Sequence, residues 1–427
     1  MFGYRNIIED LVVERLIDTE EDIPVIISAK DCDCDNLEEF VKRMGGKIKH
    51  KLNIINAVAA YMPNKGVRSA AMERTIEKIQ LDDRAYKLMN IASETVASDY
   101  ANEHGLTGKN VSVAIIDTGV HPHSDLTKPT NRIIAFKDFV GDKIHPYDDD
   151  GHGTHVAGII AGNGFSSRGK YMGVAPDANI VGVKVLDEEG GGSISDVIAG
   201  IQWVINHKTT YNIKVITLSL GTKAKSLYTE DPLCKAVDAA TRAGITVVAA
   251  AGNNGPEKET INSPAISPNI ISVGACDDRN GPSSLTIADF SSRGPAIGGI
   301  MKPDIIAPGV GIHSLSNEGN DYISLSGTSM ATPIVSGSAA LLYEYNQNYT
   351  PNEIKDLIKN NASSLGFPVQ EEGAGLLDLR KVIDNNLQRP IPKEPRTSPD
   401  RGRGGWSYKG FNGWFLVIVL VVLVLLL

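Results

Sequence analysis

From about Ser93 to Leu379, short apolar runs closed by glycine or a polar turn alternate with segments whose apolar residues fall three and four apart. The run Val111-Ser-Val-Ala-Ile-Ile116 is of the first kind and predicts a buried strand. Ile194, Val197, Ile198, Ile201, Val204 and Ile205 are of the second kind and predict a helix with one face in a core. Strands that alternate with helices are joined by crossovers, and crossovers go with parallel pairing. The fold class expected over residues 93–385 is therefore α/β, a doubly wound and mainly parallel sheet.

The pattern changes on either side of this stretch. Residues 23–90 predict a small α+β unit behind an N-terminal extension, residues 1–22. Its parts are a strand at Val25-Ile-Ile-Ser28, a helix over Leu37 to Met44 stopped by Gly45-Gly46, a strand from Ile54 to Met62, and a further helical pattern around Ser69 to Gln80. Residues 386–413 are rich in Pro, Gly and Arg, too poor in apolar surface to fold, and read as a linker. Beyond it, residues 414–427 form a terminal tail, unbroken in apolar residues from Phe415 to Leu427. As a helix that run spans roughly 20 Å against a hydrocarbon core of about 30 Å. The tail reads as a short membrane anchor, and the basic residues ahead of it (Lys393, Arg396, Arg401, Arg403, Lys409) favour the cytoplasmic face. The first 22 residues show no apolar signal-peptide core; export is the alternative, and a misassigned start would reconcile it with the missing signal.

Composition narrows the function. Lys and Arg number 42 against 51 Asp and Glu in 427 residues, a net charge of −9, which offers no electrostatic footprint for nucleic acid. Cysteines at 32, 34, 234 and 276 are too few and too scattered for a disulfide scaffold or a zinc site, and they receive no role.

Three segments carry chemistry. Asp117-Thr-Gly119 follows the first buried strand, at the edge where open α/β sheets put ligands. An aspartic peptidase would need a second such carboxylate, and none follows an equivalent pattern. In Asp148-Asp-Asp-Gly-His-Gly-Thr-His155, glycines flank His152 and permit a close approach; His155 lies three residues on without the Glu of a His-Glu-x-x-His zinc helix, and reads as a structural hydrogen-bonding residue. In Ser326-Gly-Thr-Ser-Met-Ala-Thr-Pro333, small residues surround Ser329 just ahead of an apolar helix, whose N-terminal N–H groups and dipole can steady an oxyanion. A serine hydroxyl is a weak nucleophile at neutral pH. It needs an imidazole to take its proton and a carboxylate to orient that imidazole, and Asp117, His152 and Ser329 supply such a set.

Asp117-Thr-Gly, His152-Gly-Thr-His-Val-Ala-Gly and Gly327-Thr-Ser-Met-Ala-Thr-Pro, in that order, resemble the three signatures of the subtilisin-like serine peptidases. The resemblance extends from about Ser93 to Leu379 and departs from the common Pro-His-Val after the nucleophile at Ile334, a packing position. It implies a serine endopeptidase working through an acyl-enzyme, with Asn253 beside the Ser329 N–H as an oxyanion donor. It further implies that Gly190, Gly191, Gly192, Ser219, Leu220 and Gly221 pair with substrate backbone while Ala251 and Gly252 wall the pocket for the side chain before the scissile bond. By the same resemblance the N-terminal unit is a propeptide that inhibits the enzyme until self-cleavage within about Tyr86 to Ser93. The chemistry requires no cofactor; calcium is common in the family, and Asp148, Asp149, Asp150 and Asn163 are oxygen-bearing residues in loops, but their pattern assigns no structural calcium site. The partners expected are protein or peptide substrates, the chain's own propeptide and, through the tail, a membrane, with no nucleic acid. The competing classes are a catalytically silent peptide-binding pseudoprotease and a membrane scaffold.

Overall fold

A computed structural model describes residues 22–30, 34–52, 57–81, 93–281 and 284–386, together with residues 7, 8, 12 and 16. The chain divides into two compact units, Met1–Ile91 and Ala92–Leu427.

The first unit contains β1 (Ile23–Ala29), α1 (Cys34–Arg43), β2 (Lys47–Leu52), β3 (Ala57–Met62), α2 (Asn64–Ala70) and β4 (Ile76–Leu81). Its antiparallel sheet has the order β2-β3-β1-β4. In β1 the inward residues Ile23, Val25, Ile27 and Ala29 alternate with half-buried ones, the period of two that a one-sided sheet requires. Leu37 and Val41, four apart on α1, enter the same core. The helical pattern expected around Ser69 to Gln80 is corrected: α2 ends at Ala70 and β4 follows. Ile76 and Ile79 are three apart yet both buried, because the β1–β4 register shifts between Ser28 and Ala29. Such a bulge puts residues with helical spacing on one face of a strand.

In the second unit the central strands are β5 (Ser112–Asp117), β6 (Ile133–Asp138), β7 (Asn179–Lys184), β8 (Ile213–Leu218), β10 (Thr246–Ala250), β12 (Ile271–Asp277) and β14 (Ile305–Pro308), with β13 (Thr286–Ile287) added antiparallel to β12. A small ladder joins β9 (Thr222–Lys223) to β11 (Asn262–Ser263), and a hairpin joins β15 (Ile312–Leu315) to β16 (Tyr322–Leu325). The large sheet runs β13-β12-β10-β8-β5-β7-β6, with β14 also on β12, and all pairs except β12–β13 are parallel. From β5 the chain goes first to one side (β6, β7) and then to the other (β8, β10, β12). The carboxyl end of β5 is thus the topological switch point, where such sheets form a crevice.

Helices cover both faces. α3 (His152–Ala161) and α6 (Thr328–Tyr345) pack on one, where the Ser336 hydroxyl donates to Thr217 of β8 at 2.9 Å and the Tyr343 and Thr246 hydroxyls meet at 2.8 Å. On the other lie α4 (Ile194–His207) and α5 (Pro232–Arg242), whose Val197, Ile201, Val204, Leu233 and Val237 share a core with Ile116, Val183, Ile216 and Val247 of the strands. α7 (Pro351–Asn360) and α8 (Leu379–Asn386) complete the unit, α7 opening with a capping box formed by Thr350 and Glu353.

The membrane reading is corrected. Among the described residues no helix is long and apolar enough to cross a membrane, and residues 414–427 lie outside them. The transmembrane helix, the tail-mediated membrane partner and the localisation built on them are withdrawn.

Candidate active site

The site is assembled at the carboxyl edge of β5. Asp117, the last residue of that strand, is fully buried; its Oδ1 accepts the Thr118 N–H at 2.8 Å and faces His152 Nδ1 at 2.7 Å, while its Oδ2 is buried without a partner. A buried lysine, Lys184 at the end of neighbouring β7, secures the surroundings. Its ammonium donates to the carbonyl oxygens of Thr118 (2.6 Å) and Leu186 (2.7 Å) and to Asp149 (2.6 Å), tying together three segments that converge on Asp117.

His152 opens α3, and its flanking glycines do what their positions suggest. A Cβ on Gly153 would lie 2.2 Å from the Gly119 carbonyl oxygen, and one on Gly151, whose φ is 105°, would meet the Asn317 side chain at 2.8 Å. Only bare backbone lets the helix start this close to β5. Burial pushes the His152 pKa down, but the charge and hydrogen bond of Asp117, with help from Asp150 and Asp148, outweigh it and raise the pKa to about 9. His155 is a different residue altogether. It is buried, its Nε2 sits 3.0 and 3.1 Å from the carbonyl oxygens of Ile312 and Ile323, and burial lowers its pKa to about 4. It links α3 to the β15–β16 hairpin.

Ser329 is the second residue of α6. Its hydroxyl donates to the Ser219 carbonyl oxygen at 3.0 Å, and the Ser219 hydroxyl donates back to the Ser329 carbonyl oxygen at 2.9 Å. The structure therefore joins Asp117 to His152 directly, whereas the Ser329 hydroxyl is parked on the neighbouring strand end; hydrogen bonds to a nucleophile commonly tighten only once substrate is bound. Asn253, just past β10, is held by its oxygen: Oδ1 accepts both the N–H and the hydroxyl of Thr328 at 2.9 Å each. That fixes which end of the carboxamide is free, namely the donor Nδ2. A Cβ built on Gly327 would stand 3.3 Å from Asn253 Nδ2 and 3.6 Å from the Ser329 backbone nitrogen. The missing side chain of Gly327 thus leaves a volume that two N–H donors both face.

Beside His152 lies a cleft of about 520 Å³ lined by Gly190, Gly191 and Gly192 on one edge and Ser219, Leu220 and Gly221 on another. Ala251 and Gly252 are buried beside Asn253 and do not line this cleft. Sequence reasoning did not place Leu186, Ile194, Leu233 and Asp150 in a cleft, and they also line it. Ile194, read as part of the inward face of α4, is 44% exposed for this reason.

The loop oxygens named for calcium do not fit that ion. Asp148 accepts the Gly151 N–H and both the N–H and the hydroxyl of Thr154, Asn163 accepts the Phe165 N–H, and Asp149 takes Lys184. Each turns to a different partner instead of a common centre. Among the described residues no group of three or more His, Cys, Asp or Glu could hold a metal ion.

Comparisons with known proteins identify the family. The model of the subtilase family matches residues 108–390. The chain is 44% identical over 346 residues to serine protease AprX of Bacillus subtilis (strain 168), covering 76% of this chain and 78% of that protein. It is 35% identical over 349 residues to subtilisin E of the same organism, covering 80% of this chain and 84% of that one. Among solved structures, sphericase matches with a TM-score of 0.57 and 30% identity over 70% of this chain and 100% of its own.

Proposed function

The chain belongs to the subtilase family and is a subtilisin-like serine endopeptidase, and from that premise we propose that Asp117, His152 and Ser329 are its catalytic triad and that Asn253 with the Ser329 N–H forms the oxyanion hole. The observation that carries this reading is the 2.7 Å contact of Asp117 Oδ1 with His152 Nδ1 beside a two-donor volume at the start of α6.

In this mechanism a peptide lies along the Gly190–Gly192 and Ser219–Gly221 edges, adding a strand between them. The Ser329 hydroxyl rotates off the Ser219 carbonyl and attacks the scissile carbonyl, while His152 Nε2 takes its proton. Asp117 holds the imidazole in the tautomer with the proton on Nδ1 and stabilises the imidazolium that forms. The carbonyl oxygen, now an anion, occupies the volume beside Gly327. His152 then gives its proton to the leaving amine, and water releases the acyl group by the same route.

The N-terminal unit is assigned as a propeptide that occupies the enzyme as an inhibitor until self-cleavage within residues 86–93. Support comes from the compactness of Met1–Ile91 as a unit of its own and from the resemblance of its sequence pattern to the family's propeptides. The test is the intact mass of the purified protein. Wild type should lose about 90 residues while Ser329→Ala stays full length; equal processing of both would refute the assignment.

A further inference from the structure

Lys184 stands directly opposite Asp117 in the β5–β7 register, and its side chain is 1% exposed. A lysine ammonium has three N–H donors, and here each has its own acceptor: the Thr118 carbonyl oxygen at 2.6 Å, the Leu186 carbonyl oxygen at 2.7 Å and Asp149 Oδ1 at 2.6 Å. A site that only had to be filled would hold an apolar residue, since burying a charge commonly costs more than its pairing returns. What this charge holds is the scaffold of the reaction. Thr118 donates its N–H to Asp117 Oδ1 at 2.8 Å and accepts the Gly153 N–H on its hydroxyl at 2.9 Å, so it grips the carboxylate and the start of α3 together. Leu186 lines the cleft, and its N–H donates to the Asp117 carbonyl oxygen at 3.3 Å.

Asp149 is the middle carboxylate of the loop that leads into His152. Its neighbours Asp150 and Asp148 both reinforce Asp117 in raising the His152 pKa. Among the described residues Asp149 is the one carboxylate of the three that pairs with a cation. The other ionisable groups around the pair are Tyr147, whose ring centre is 5.2 Å from the ammonium, and the exposed Glu188; His155, one turn along α3, also faces His152.

We propose that Lys184 is a positioning residue for the peptidase reaction: it holds the Asp117–Gly119 turn and Leu186 in place and, by neutralising Asp149, keeps that carboxylate from adding to the basicity of His152. The proposal rests on the triad reading above, in which His152 is the base. Removing the ammonium leaves Asp149 unneutralised and favours the imidazolium, whereas removing the carboxylate leaves a lone cation and favours the neutral ring. A lysine that served packing alone would change stability without moving the titration of His152 in these opposite directions.

The experiment uses the full-length protein, matured as it is made, and follows kcat/KM on an uncharged peptide across pH at low salt, where charges are least screened. Lys184→Met should raise the midpoint of the profile by about half a pH unit, Asp149→Asn should lower it by about as much, and the double variant should return it to the wild-type value. Lys184→Met should also lose about ten-fold in kcat, which the second change does not restore, because the Thr118 and Leu186 carbonyls stay unheld. Single variants whose midpoints stay at the wild-type value, or a double variant that keeps the Lys184→Met midpoint, would overturn the proposal. If Lys184→Met does not fold, Asp149→Asn decides alone: a lowered midpoint supports the proposal and an unmoved one refutes it. If Ser329 of the wild type takes up no fluorophosphonate, the triad reading itself fails and this proposal with it.

Discussion

Gly327→Ala tests the oxyanion volume by filling it. The added methyl would sit 3.3 Å from Asn253 Nδ2, 3.6 Å from the Ser329 nitrogen and 3.8 Å from Asn253 Oδ1. Gly327 has φ 157° and ψ 161°, a region that residues with a side chain rarely adopt, so the change also strains the backbone and the thermal midpoint should fall by a few degrees while the enzyme stays folded. A developing oxyanion, however, must approach both donors to about 2.7–3.1 Å, and the methyl holds it away from each. Losing one such donor costs on the order of 3 kcal/mol, or 10²- to 10³-fold in kcat, so obstructing two predicts a fall of about 10³-fold or more. KM should change little, because the lost contacts form only in the transition state. The assay is steady-state kinetics on a chromogenic peptide, with the thermal midpoint recorded beside it. Asn253→Leu supplies the control: if both substitutions act on one anion site, the double variant is hardly worse than the poorer single one. A kcat within ten-fold of wild type, or strictly additive losses in the double variant, would refute the reasoning.

Because only neutral His152 can accept the Ser329 proton, kcat/KM on an uncharged peptide should climb as pH rises, reaching half its maximum near pH 9 instead of at the ordinary imidazole value of 6.5; a pH–rate profile checks this. The same shift contributes stability that is complete below about pH 6.5 and disappears as pH rises through about 9, readable in urea midpoints across that window. Asp304→Asn should cost about 3–5 kcal/mol in urea unfolding, since it leaves the buried ammonium of Lys302, 2.5 Å away, unpaired and removes the partner of Lys355 and Lys359. Lys302 and its companions hold the Asp304 pKa at about 2 against the pull of burial, so its contribution is present above about pH 4 and lost only as pH falls through about 2. Gly153→Ala drives a methyl to 2.2 Å from the Gly119 carbonyl oxygen, which predicts about 1–3 kcal/mol of destabilisation and a displaced His152, seen as a joint loss of thermal midpoint and kcat.

What the chain order reveals and what it hides follow from the range of the interactions. Asp117, His152 and Ser329 each sit in a short segment whose neighbours exist for local reasons: a strand end, bare glycines at a helix start, small residues at another. Such segments are legible without the fold, as is the alternation that foretells a parallel sheet. The β4 strand was not, because the bulge opposite Ser28 and Ala29 is a property of pairing with β1 and gives Ile76 and Ile79 the spacing of a helix. Ile194 has the periodicity of a core residue but faces the cleft, since periodicity reports a face and not what lies against it. The different fates of Asp148, Asp149 and Asp150 are equally invisible in a run of three identical letters; Lys184 and Thr154, distant or several residues away, decide them. The uniformly apolar tail invited a membrane reading through composition alone, which no described helix supports.

The central claim is that Ser329 is the nucleophile, and covalent capture tests it without relying on a substrate. Purified protein treated with a fluorophosphonate should gain one adduct per chain, mapped by peptide sequencing to Ser329, while Ser329→Ala gains none and His152→Ala reacts only slowly. An adduct on a different serine, or peptide hydrolysis that persists undiminished in Ser329→Ala, would contradict the account.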